Sequence, residues 1–391
     1  MMLSTIHPFP ARMAPDIAQE FLDECAKGGR ILDPMCGSGT VLRAAVEAGL
    51  DCTGVDIDPL AVLMSRVWVT PLVPSMLVDA ANDVVQRARD LPESQVEQAS
   101  DPETLRFIAF WFAPCQRRQL NCLATVLRQH SRPEVEALTL VLSRIIVTKE
   151  MMASLARDTS HSRPHRVATE NDFDVFEGFL KAASQVANRL SPELIKGEAE
   201  VIEGDARSLK ELGDDTFDLA VTSPPYLNAI DYLRGHRLAL VWLGYDLSSI
   251  RTTRSASVGA EKILPSAAGQ RDVAHYVIES VNSTFADRHL GWVRRYAVDM
   301  QAVLGELARV VKLDGTVVMV VGNSFLRGAV VDNAMLVRDI AQGSGFLIED
   351  SRVRSIPARR RYLPPPRNGN NMLDTRMRKE TVLKMRLQVA P

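Results

Sequence analysis

The stretch from residue 30 to residue 56 constrains the fold more than any other part of this 391-residue chain. Its two apolar runs, 30–33 and 52–56, both end in aspartate, and a helical pattern from 40 to 48 lies between them and closes at Gly49. A strand, a glycine-containing turn, a helix and a second strand form a β-loop-α-β unit, whose two strands run parallel in one sheet. The chain is therefore expected to be an α/β protein.

Further strands extend this unit into a complete sheet. Two more apolar runs end in acidic or turn-forming residues, a helical pattern precedes a fifth strand, and two late runs predict a closing hairpin with a long connection. These elements are the strands 201–205 and 217–222, the helix 300–311, and the strands 315–322, 346–354 and 381–387. Seven strands predict one open, twisted sheet with helices on both faces.

Two segments interrupt the alternation of strands and helices. Residues 71–195 are mostly helical in pattern and predict a helical insertion, and residues 227–299 begin with apolar and aromatic side chains. The second segment continues through 248–257, a stretch poor in core-forming residues, which predicts a polar loop. We expect neither segment to belong to the sheet.

The turn after the first strand, D-P-M-C-G-S-G-T at 33–40, is a candidate binding site. Its glycines let a ligand approach the backbone, and the following helix offers unpaired N–H groups. Asp56 ends the second strand, where a carboxylate can accept both hydroxyls of a ribose. A dinucleotide is disfavoured because Leu42 replaces the third glycine of G-x-G-x-x-G, and no phosphate-binding G-K-[ST] occurs. Adenosylmethionine, which carries no phosphate, and a tight turn without a ligand both remain open.

A second candidate site is the loop Thr222-Ser223-Pro224-Pro225-Tyr226, which follows the fourth strand. Two successive prolines fix the backbone and remove two N–H donors, so the loop is rigid and its carbonyls point outward. Ser223 Oγ and the Pro224 carbonyl can then accept both hydrogens of one amine. Tyr226 offers a flat surface for stacking.

These motifs resemble those of the bacterial amino-methyltransferases of DNA, which act on N4 of cytosine or N6 of adenine. The segment 33–40 resembles motif I, and T-S-P-P-Y resembles motif IV in the form most similar to the N4-cytosine branch. His7-Pro8-Phe9-Pro10-Ala11-Arg12 resembles motif X, which contacts the methionine part of the cofactor, and Gly204-Asp205 resembles motif III, whose acid binds the adenine amine. The helical block before motif III departs from this pattern, so the segment that reads the DNA sequence is left open.

The resemblance implies a Rossmann-like, seven-stranded methyltransferase sheet that binds S-adenosyl-L-methionine and needs no metal. The implied domains are 1–70, with motif X and the cofactor-binding first half; 71–195, a helical insertion for DNA recognition or a lid; and 196–391, with the T-S-P-P-Y loop, the variable 227–299 segment and a basic C-terminal hairpin. The implied catalytic residues are Ser223, Pro224, Pro225 and Tyr226. The implied cofactor-binding residues are Pro8, Phe9, Pro10, Asp33, Pro34, Cys36, Gly37, Ser38, Gly39, Thr40, Asp56, Ile57, Asp205, Ala206 and Ser223.

Any DNA-binding surface must be a local patch, because the net charge of the chain is -2. The strongest basic concentration runs from Arg352 to Lys379 and suits phosphate contact, with a solvated or acid-paired hairpin face as the alternative. Two further basic segments are candidate DNA contacts. For the segment around Arg163 the alternative is a solvated loop, and for the stretch with Arg251 and Arg254 the alternative is a segment that is disordered without DNA. The candidate DNA-binding residues are Arg163, His165, Arg251, Arg254, Arg359, Arg360 and Arg361.

Several other chemistries are disfavoured. Pro114-Cys115-Gln116 matches the nucleophile motif of C5-cytosine methyltransferases, but it opens a helical pattern instead of following a strand. Five cysteines without a C-x-x-C pair suit neither a disulfide scaffold nor a zinc ribbon, and His161 and His165 lack further metal ligands. The sequence shows no signal peptide and no run long enough to span a bilayer, so a cytoplasmic location is expected.

The expected function is transfer of a methyl group from S-adenosylmethionine to the N4 amine of cytosine in a specific duplex DNA sequence. The alternatives are an N6-adenine enzyme, an RNA or tRNA amino-methyltransferase, a methyltransferase of protein glutamine, and a DNA-binding module without catalysis. The expected partners are double-stranded DNA and, in a restriction-modification system, a cognate restriction endonuclease. Monomer and homodimer are both open, and no membrane partner is expected.

Overall fold

The computed structural model describes residues 5–9, 12–129, 132–146, 149–158, 164–227, 231–260, 273, 275–277, 287–326, 329–356 and 379–388. These residues form two compact units, each assembled from separate parts of the chain. The first unit takes the described residues of 1–10, 58–195 and 231–254, and the second takes those of 11–57, 196–230 and 255–391. Each unit encloses a hydrophobic core of its own.

The elements are labelled in chain order. The strands are β1 (Arg30–Asp33), β2 (Asp51–Asp56), β3 (Ala156–Arg157), β4 (His165–Arg166), β5 (Ala199–Glu203), β6 (Phe217–Thr222), β7 (Val311–Gly322), β8 (Ser324–Leu326), β9 (Ala329–Val331), β10 (Phe346–Ser355) and β11 (Lys379–Leu387). The helices are α1 (Pro15–Glu24), α2 (Thr40–Ala48), α3 (Pro59–Val69), α4 (Pro74–Asp90), α5 (Pro102–Trp111), α6 (Pro114–Arg128), α7 (Val135–Arg144), α8 (Val175–Ala187), α9 (Tyr232–Leu240), α10 (Leu247–Ala256), α11 (Asp287–Val310) and α12 (Asn333–Gly343).

The second unit contains a seven-stranded sheet with the order β10-β11-β7-β6-β1-β2-β5. The five strands from β7 to β5 pair in parallel, whereas β11 pairs antiparallel with both β7 and β10. All seven predicted strands are present, and the predicted fold class is confirmed. The observed β7 begins four residues earlier than predicted, because Val311 already pairs with Phe217 ahead of a register shift.

Both faces of this sheet are buried. Along β7, Val317, Met319 and Val321 belong to the core that α11 and α12 cover. Val318 and Val320 lie between them and are equally buried, but they are not part of that core, so they point to the opposite face. A strand buried on both sides explains why β7 is a continuous apolar run in the sequence.

The predicted β-loop-α-β unit has the expected geometry. The helix α2 is bounded by Gly39 and Gly49, which both adopt left-handed backbone angles, with φ of 80° and 78°. A Cβ atom on Gly54 of β2 would lie 2.4 Å from Leu42 Cδ1 of this helix. The absence of a side chain at Gly54 therefore allows α2 to pack directly on β2.

The first unit is helical, as predicted for the insertion. Helices α3 to α10 supply most of its core, and the short strands β3 and β4 form an antiparallel hairpin. The prediction of a polar loop at 248–257 is wrong, because α10 covers most of that stretch. Asp246 accepts a hydrogen bond from the Ser249 amide at 2.7 Å, and Leu247 and Ile250 are buried, so the helix is capped at its start and held by packing. Across the residues described above, no helix combines the length and apolarity needed to cross a membrane.

Candidate functional site

The two sequence motifs leave neighbouring strands at the same edge of the sheet. Strands β1 and β6 are parallel partners, with Ile31 opposite Leu219 and Leu32 opposite Ala220. From β1 the sheet continues to β2 on one side, while β6 lies on the other side, so the strand order reverses between β1 and β6. Ligands of open α/β sheets bind at this kind of switch point, beyond the carboxyl ends of the strands. The structure therefore brings the glycine turn and the T-S-P-P-Y loop together.

Asp33 joins the two turns. Its carboxylate accepts a hydrogen bond from the Met35 amide at 3.3 Å, and it interacts with the Thr222 hydroxyl at the end of β6. The side chain is buried, and burial raises the pKa of Asp33 to about 7, with a further upward contribution from the negative charge of Asp56. The proximity of the Thr222 hydroxyl and the hydrogen bond from the Met35 amide act in the opposite direction. Asp33 is thus a carboxyl group that can be neutral or charged near neutral pH.

The glycine turn is fixed by β2. Gly37 has a φ of 52°, and its amide donates a hydrogen bond of 2.8 Å to Asp56 Oδ2. The Cys36 amide donates to the Val55 carbonyl at 3.0 Å, and the Cys36 side chain is buried beside Gly54. Cys36 therefore packs against the sheet, and one oxygen of Asp56 shapes the turn.

Asp205 lies at the end of the next strand. The preceding Gly204 donates its amide to the Asp56 carbonyl at 2.9 Å, which places Asp205 next to the end of β2. Asp205 accepts hydrogen bonds from Arg207, the shortest at 2.6 Å, and Arg207 also donates to Asp299 at 2.6 Å. Burial opposes the charge of Asp205, but the contacts with Arg207 outweigh it, and the pKa of Asp205 is lowered. Arg207 was missed by the sequence analysis, since its distant partner Asp299 lies far along the chain.

The T-S-P-P-Y loop is anchored on β7. Ser223 Oγ donates a hydrogen bond of 3.1 Å to the Val320 carbonyl, and the Tyr226 hydroxyl interacts with Ser223. Burial raises the pKa of Tyr226 to about 12, so its hydroxyl is neutral at physiological pH. Because the single proton of Ser223 is directed to Val320, the oxygen is left to accept hydrogen bonds from other groups. Pro224 is buried and Pro225 is partly exposed.

Tyr296 of α11 is a second residue that the sequence did not reveal. It is fully buried and lies close enough to Tyr226 for the two groups to interact electrostatically. Burial is the main cause of the raised pKa of Tyr296. Within the part of the chain that the structure describes, the Tyr296 hydroxyl has no hydrogen-bond partner. A buried hydroxyl of this kind beside the loop can donate to a ligand.

The donor and acceptor chemistry of this edge fits S-adenosylmethionine. Asp33, Asp56 and Asp205 place three carboxyl groups at the ends of β1, β2 and β5, and the guanidinium of Arg207 is engaged by two of the unit's acids. These groups match the ammonium, the ribose hydroxyls and the adenine amine of that cofactor, whereas they would repel the phosphates of a dinucleotide. The remaining predicted residues of this edge are Pro34, Ser38, Thr40 and Ala206, which are buried, and Ile57, which is partly buried.

The predicted motif X belongs to the first unit. The Phe9 ring stacks on Tyr232 of α9 with centroids 5.1 Å apart, and His7 Nε2 shares a hydrogen bond of 2.9 Å with Ser143 Oγ. His7 Nδ1 lies 2.7 Å from the carbonyl oxygen of Pro8. Pro10 lies outside the described residues. The roles of Pro8, Phe9 and Pro10 toward the cofactor stay predictions.

The candidate DNA-binding residues have mixed outcomes. The expectation that Arg251 and Arg254 lie on a polar loop is wrong, because both lie on α10. Arg251 pairs with Glu103, and Arg254 donates to Asp231 at 2.9 Å. His165 is exposed on β4. Arg163, Arg359, Arg360 and Arg361 lie outside the described residues.

The described arginines of the C-terminal hairpin favour the acid-paired alternative. Arg352 of β10 pairs with Glu20 of α1, and Arg354 pairs with Asp16 at 3.1 Å and with Glu380 at 3.2 Å. These charges are already compensated within the second unit. Among the described residues, no group of three His, Cys, Asp or Glu side chains is arranged to hold a metal ion.

Comparisons with known proteins find similarity to methyltransferases. No family model matches. Type II methyltransferase M.MvaI of Kocuria varians is 23% identical over 396 residues, which cover 90% of this chain and 84% of that protein. Type II methyltransferase M.BsoBI of Geobacillus stearothermophilus is 25% identical over 290 residues, covering 64% of this chain and 53% of that protein. Type II methyltransferase M.MjaII of Methanocaldococcus jannaschii is 26% identical over 121 residues, or 30% of this chain and 23% of that protein.

Solved structures of methyltransferases also align with the chain at low overall similarity. A SAM-dependent methyltransferase from Methanosarcina mazei has a TM-score of 0.34 and 11% identity, covering 97% of this chain and 100% of that one. A TehB-like SAM-dependent methyltransferase from Corynebacterium glutamicum has a TM-score of 0.30 and 11% identity, covering 95% and 88%. The fold class rests on the strand order itself. With that order and the donor set, the predicted cofactor S-adenosylmethionine is confirmed.

Proposed function

We propose that this chain methylates the N4 amine of cytosine within a specific sequence of duplex DNA. The observation that carries the proposal is the placement of the glycine turn and the T-S-P-P-Y loop on adjacent parallel strands at the switch point. The S-P-P-Y form of the loop and the similarity to three Type II methyltransferases support DNA as the substrate.

Methylation of this amine requires the protein to free the amine's lone pair and to take the base out of the duplex. The lone pair of the cytosine amine is delocalised into the ring, so the amine is a poor nucleophile. A base inside a duplex is also out of reach, and flipping it out costs a few kcal/mol of stacking. S-adenosylmethionine supplies a methyl group bound to a sulfonium sulfur. The neutral thioether that remains after transfer is a good leaving group, so no covalent intermediate on the protein is required.

The loop residues meet this demand by accepting hydrogen bonds. The Ser223 oxygen and the Pro224 carbonyl accept the two amine hydrogens, which favours a tetrahedral nitrogen and directs its lone pair out of the ring. Such preformed acceptors stabilise the positive charge that develops on nitrogen during transfer. Holding the amine in line supplies several kcal/mol more through positioning. Tyr226, neutral because its pKa is about 12, lies beside Ser223 and packs against the flipped base.

Neither Ser223 nor Tyr226 acts as a strong base in this scheme. The Ser223 proton is committed to the Val320 carbonyl, and Tyr226 is not ionised at neutral pH. The amine proton is lost to water after the methyl group has been transferred. Catalysis therefore depends on geometry and on acceptor strength.

The direct test is incubation with plasmid DNA and labelled S-adenosylmethionine, followed by mass spectrometry of the nucleosides. N4-methylcytosine supports the proposal, N6-methyladenine assigns the loop to the adenine branch, and the absence of methylated DNA beside methylated RNA refutes the DNA assignment. Three variants refine the test. Ser223→Ala is expected to lower kcat about 100-fold, while S-adenosylmethionine still binds.

Tyr226→Phe and Tyr226→Ala separate the two roles of the tyrosine. If the ring packs against the base, Phe retains most activity and Ala loses it, whereas loss in both variants assigns the role to the hydroxyl. Ser184→Ala is a matched control, because Ser184 lies exposed on α8 and its hydroxyl donates to the Leu180 carbonyl of the same helix. Equal activity in Ser223→Ala, Tyr226→Ala and this control would reject the assigned roles.

A further inference from the structure

A row of arginines and aromatic rings runs along the surface of the first unit. We call it the arginine–aromatic strip, and it consists of Arg237, Phe107, Trp111, Phe110 and Arg166. The Arg237 guanidinium lies 5.3 Å from the Phe107 centroid, and the Phe107 and Trp111 centroids are 6.1 Å apart. Phe110 follows at 5.1 Å from Trp111, and the Arg166 guanidinium lies 4.7 Å over the Phe110 ring. The contacts are continuous from one end of the strip to the other.

One end of the strip carries more positive charge than its acids can neutralise. Arg234 and Arg254 both pair with Asp231, at 3.2 Å and 2.9 Å, so two guanidinium groups share one carboxylate. Burial lowers the pKa of Arg237, and the charges of Arg254 and Arg234 lower it further. Within the described residues, Arg237 Nε is buried without a hydrogen-bond partner. An added anion beside these guanidinium groups would relieve their mutual repulsion.

The other end exposes apolar surface beside a cation. Phe110 is 50% exposed and Val167 is 52% exposed. The hairpin of β3 and β4 adjoins this end, since the Leu155 amide donates to the Trp111 carbonyl at 2.8 Å. That hairpin adds the paired positions Arg157 and His165, of which His165 is a DNA-binding candidate from the sequence.

The acidic residues of α5 and of its N-cap lie at the start of the helix, and they already have hydrogen-bond or ion-pair partners. Glu103 pairs with Arg251, and Asp101 caps α5 through the Thr104 amide at 2.7 Å. Asp246 caps α10 in the same way. The strip itself is therefore left cationic and aromatic.

We propose that the arginine–aromatic strip is a contact surface for the backbone of duplex DNA, an inference that rests on the proposed function. Guanidinium groups at both ends bind phosphates, and the exposed Phe110 packs against the deoxyribose between them. This division explains why cations flank the rings along one surface: phosphate contacts give affinity without reading sequence, while rings exclude water from the sugars. The strip thus assigns backbone binding to the helical unit.

The test measures binding of a fluorescein-labelled duplex of mixed sequence over a range of KCl concentrations. Each phosphate contact contributes about 0.9 to the slope of log affinity against log salt concentration. The double variant Arg166→Gln/Arg237→Gln is expected to lower that slope by about 2 and to weaken binding to all duplexes alike. Phe110→Ser is expected to weaken binding with the slope unchanged, because it removes a contact without charge.

The control is Arg87→Gln/Arg132→Gln, which removes two exposed arginines of the same unit outside the strip. It should keep the wild-type slope. An equal change of slope in the control and the strip variant, or no change in either, would overturn the inference. If the buried Arg237 proves necessary for folding, as judged by near-UV circular dichroism, the exposed variants Arg166→Gln and Phe110→Ser decide the question.

Measurements of DNA binding and methylation distinguish a failure of the strip as a DNA contact from a failure of the proposed function. If the wild type binds and methylates duplex DNA and the strip variants do so equally well, the strip alone is refuted. If the wild type binds S-adenosylmethionine but neither binds nor methylates duplex DNA, the proposed function fails and the strip fails with it. Preferential strip-dependent binding of RNA would also overturn it.

Discussion

Asp33→Asn tests the electrostatics of the cofactor edge through the stability of the protein without ligand. The carboxyl group of Asp33 is buried at the end of β1, and its pKa is about 7 in the folded chain. An aspartate in an unfolded chain has a pKa of about 3.9. Three pKa units correspond to about 4 kcal/mol, since each unit is worth about 1.4 kcal/mol.

The sign of the effect follows from proton uptake. Between about pH 4 and pH 7 the folded state holds a proton on Asp33 that the unfolded state has lost, so the free energy of unfolding falls as the pH rises. Above the pKa that Asp33 has in the folded state, the loss of free energy of unfolding is complete and no longer changes with pH. Asparagine keeps the shape but carries no titratable proton, so the variant avoids this loss. The difference in stability between Asp33→Asn and the wild type should therefore widen by about 3 kcal/mol from about pH 5 to about pH 8.

The assay is urea denaturation of the ligand-free proteins across that pH range, followed by a signal from the second unit. Glu198→Gln is the control, because Glu198 is an exposed carboxylate of the same unit just before β5. The control should track the wild type throughout. A constant difference between Asp33→Asn and the wild type at every pH would show that Asp33 is ionised in the folded protein, and the reasoning would be refuted.

Three further substitutions or reactions probe the packing around the site. Gly54→Ala places a Cβ atom 2.4 Å from Leu42 Cδ1 and is expected to destabilise the protein by about 1–3 kcal/mol; an unchanged Tm would contradict the close packing of α2 on β2. Arg207→Gln leaves two carboxylates without their shared guanidinium and should lower the free energy of unfolding in urea by about 3 kcal/mol. An unchanged free energy of unfolding would contradict the importance of these contacts. A thiol reagent should label the exposed Cys115 in the native protein much faster than Cys52, because burial raises the pKa of Cys52 to about 12; equal rates by peptide mass spectrometry would argue against this burial.

The sheet could be predicted from the sequence because its signals are local. The strand β1, the helix α2 and the strand β2 lie within one short stretch, and Gly49 marks the end of the helix. Each strand that ends at the site is an apolar run followed by an acid or a turn. The adjacency of β1 and β6 is not a local signal, and it is seen in the strand order of the structure.

The parts that escaped prediction depend on contacts between distant residues. Arg207 and Asp299 are 92 positions apart, and no local pattern announces their hydrogen bond. The helix α10 is rich in serine and threonine, which are weak helix formers, so its pattern indicated a loop. Its signals were present but short: Asp246 as a cap, and the buried pair Leu247 and Ile250 at helical spacing.

The division of the chain into units could not be predicted either. Residues 231–254 share a core with the helical insertion although the sheet strand β6 separates them from it in sequence. A division of the sequence into consecutive segments cannot describe this arrangement, because burial against a common core decides which unit a residue belongs to. The side chains Leu233 and Trp242 belong to that core.

The place of β11 in the sheet bears on how the protein is made. This strand follows all others in sequence, yet it lies between β7 and β10, with both of its edges paired. Before the ribosome has added β11, β7 presents an open row of amides and carbonyls, which is the kind of edge that recruits strands from other chains. A chain truncated before Lys379 is therefore expected to expose this edge and to aggregate.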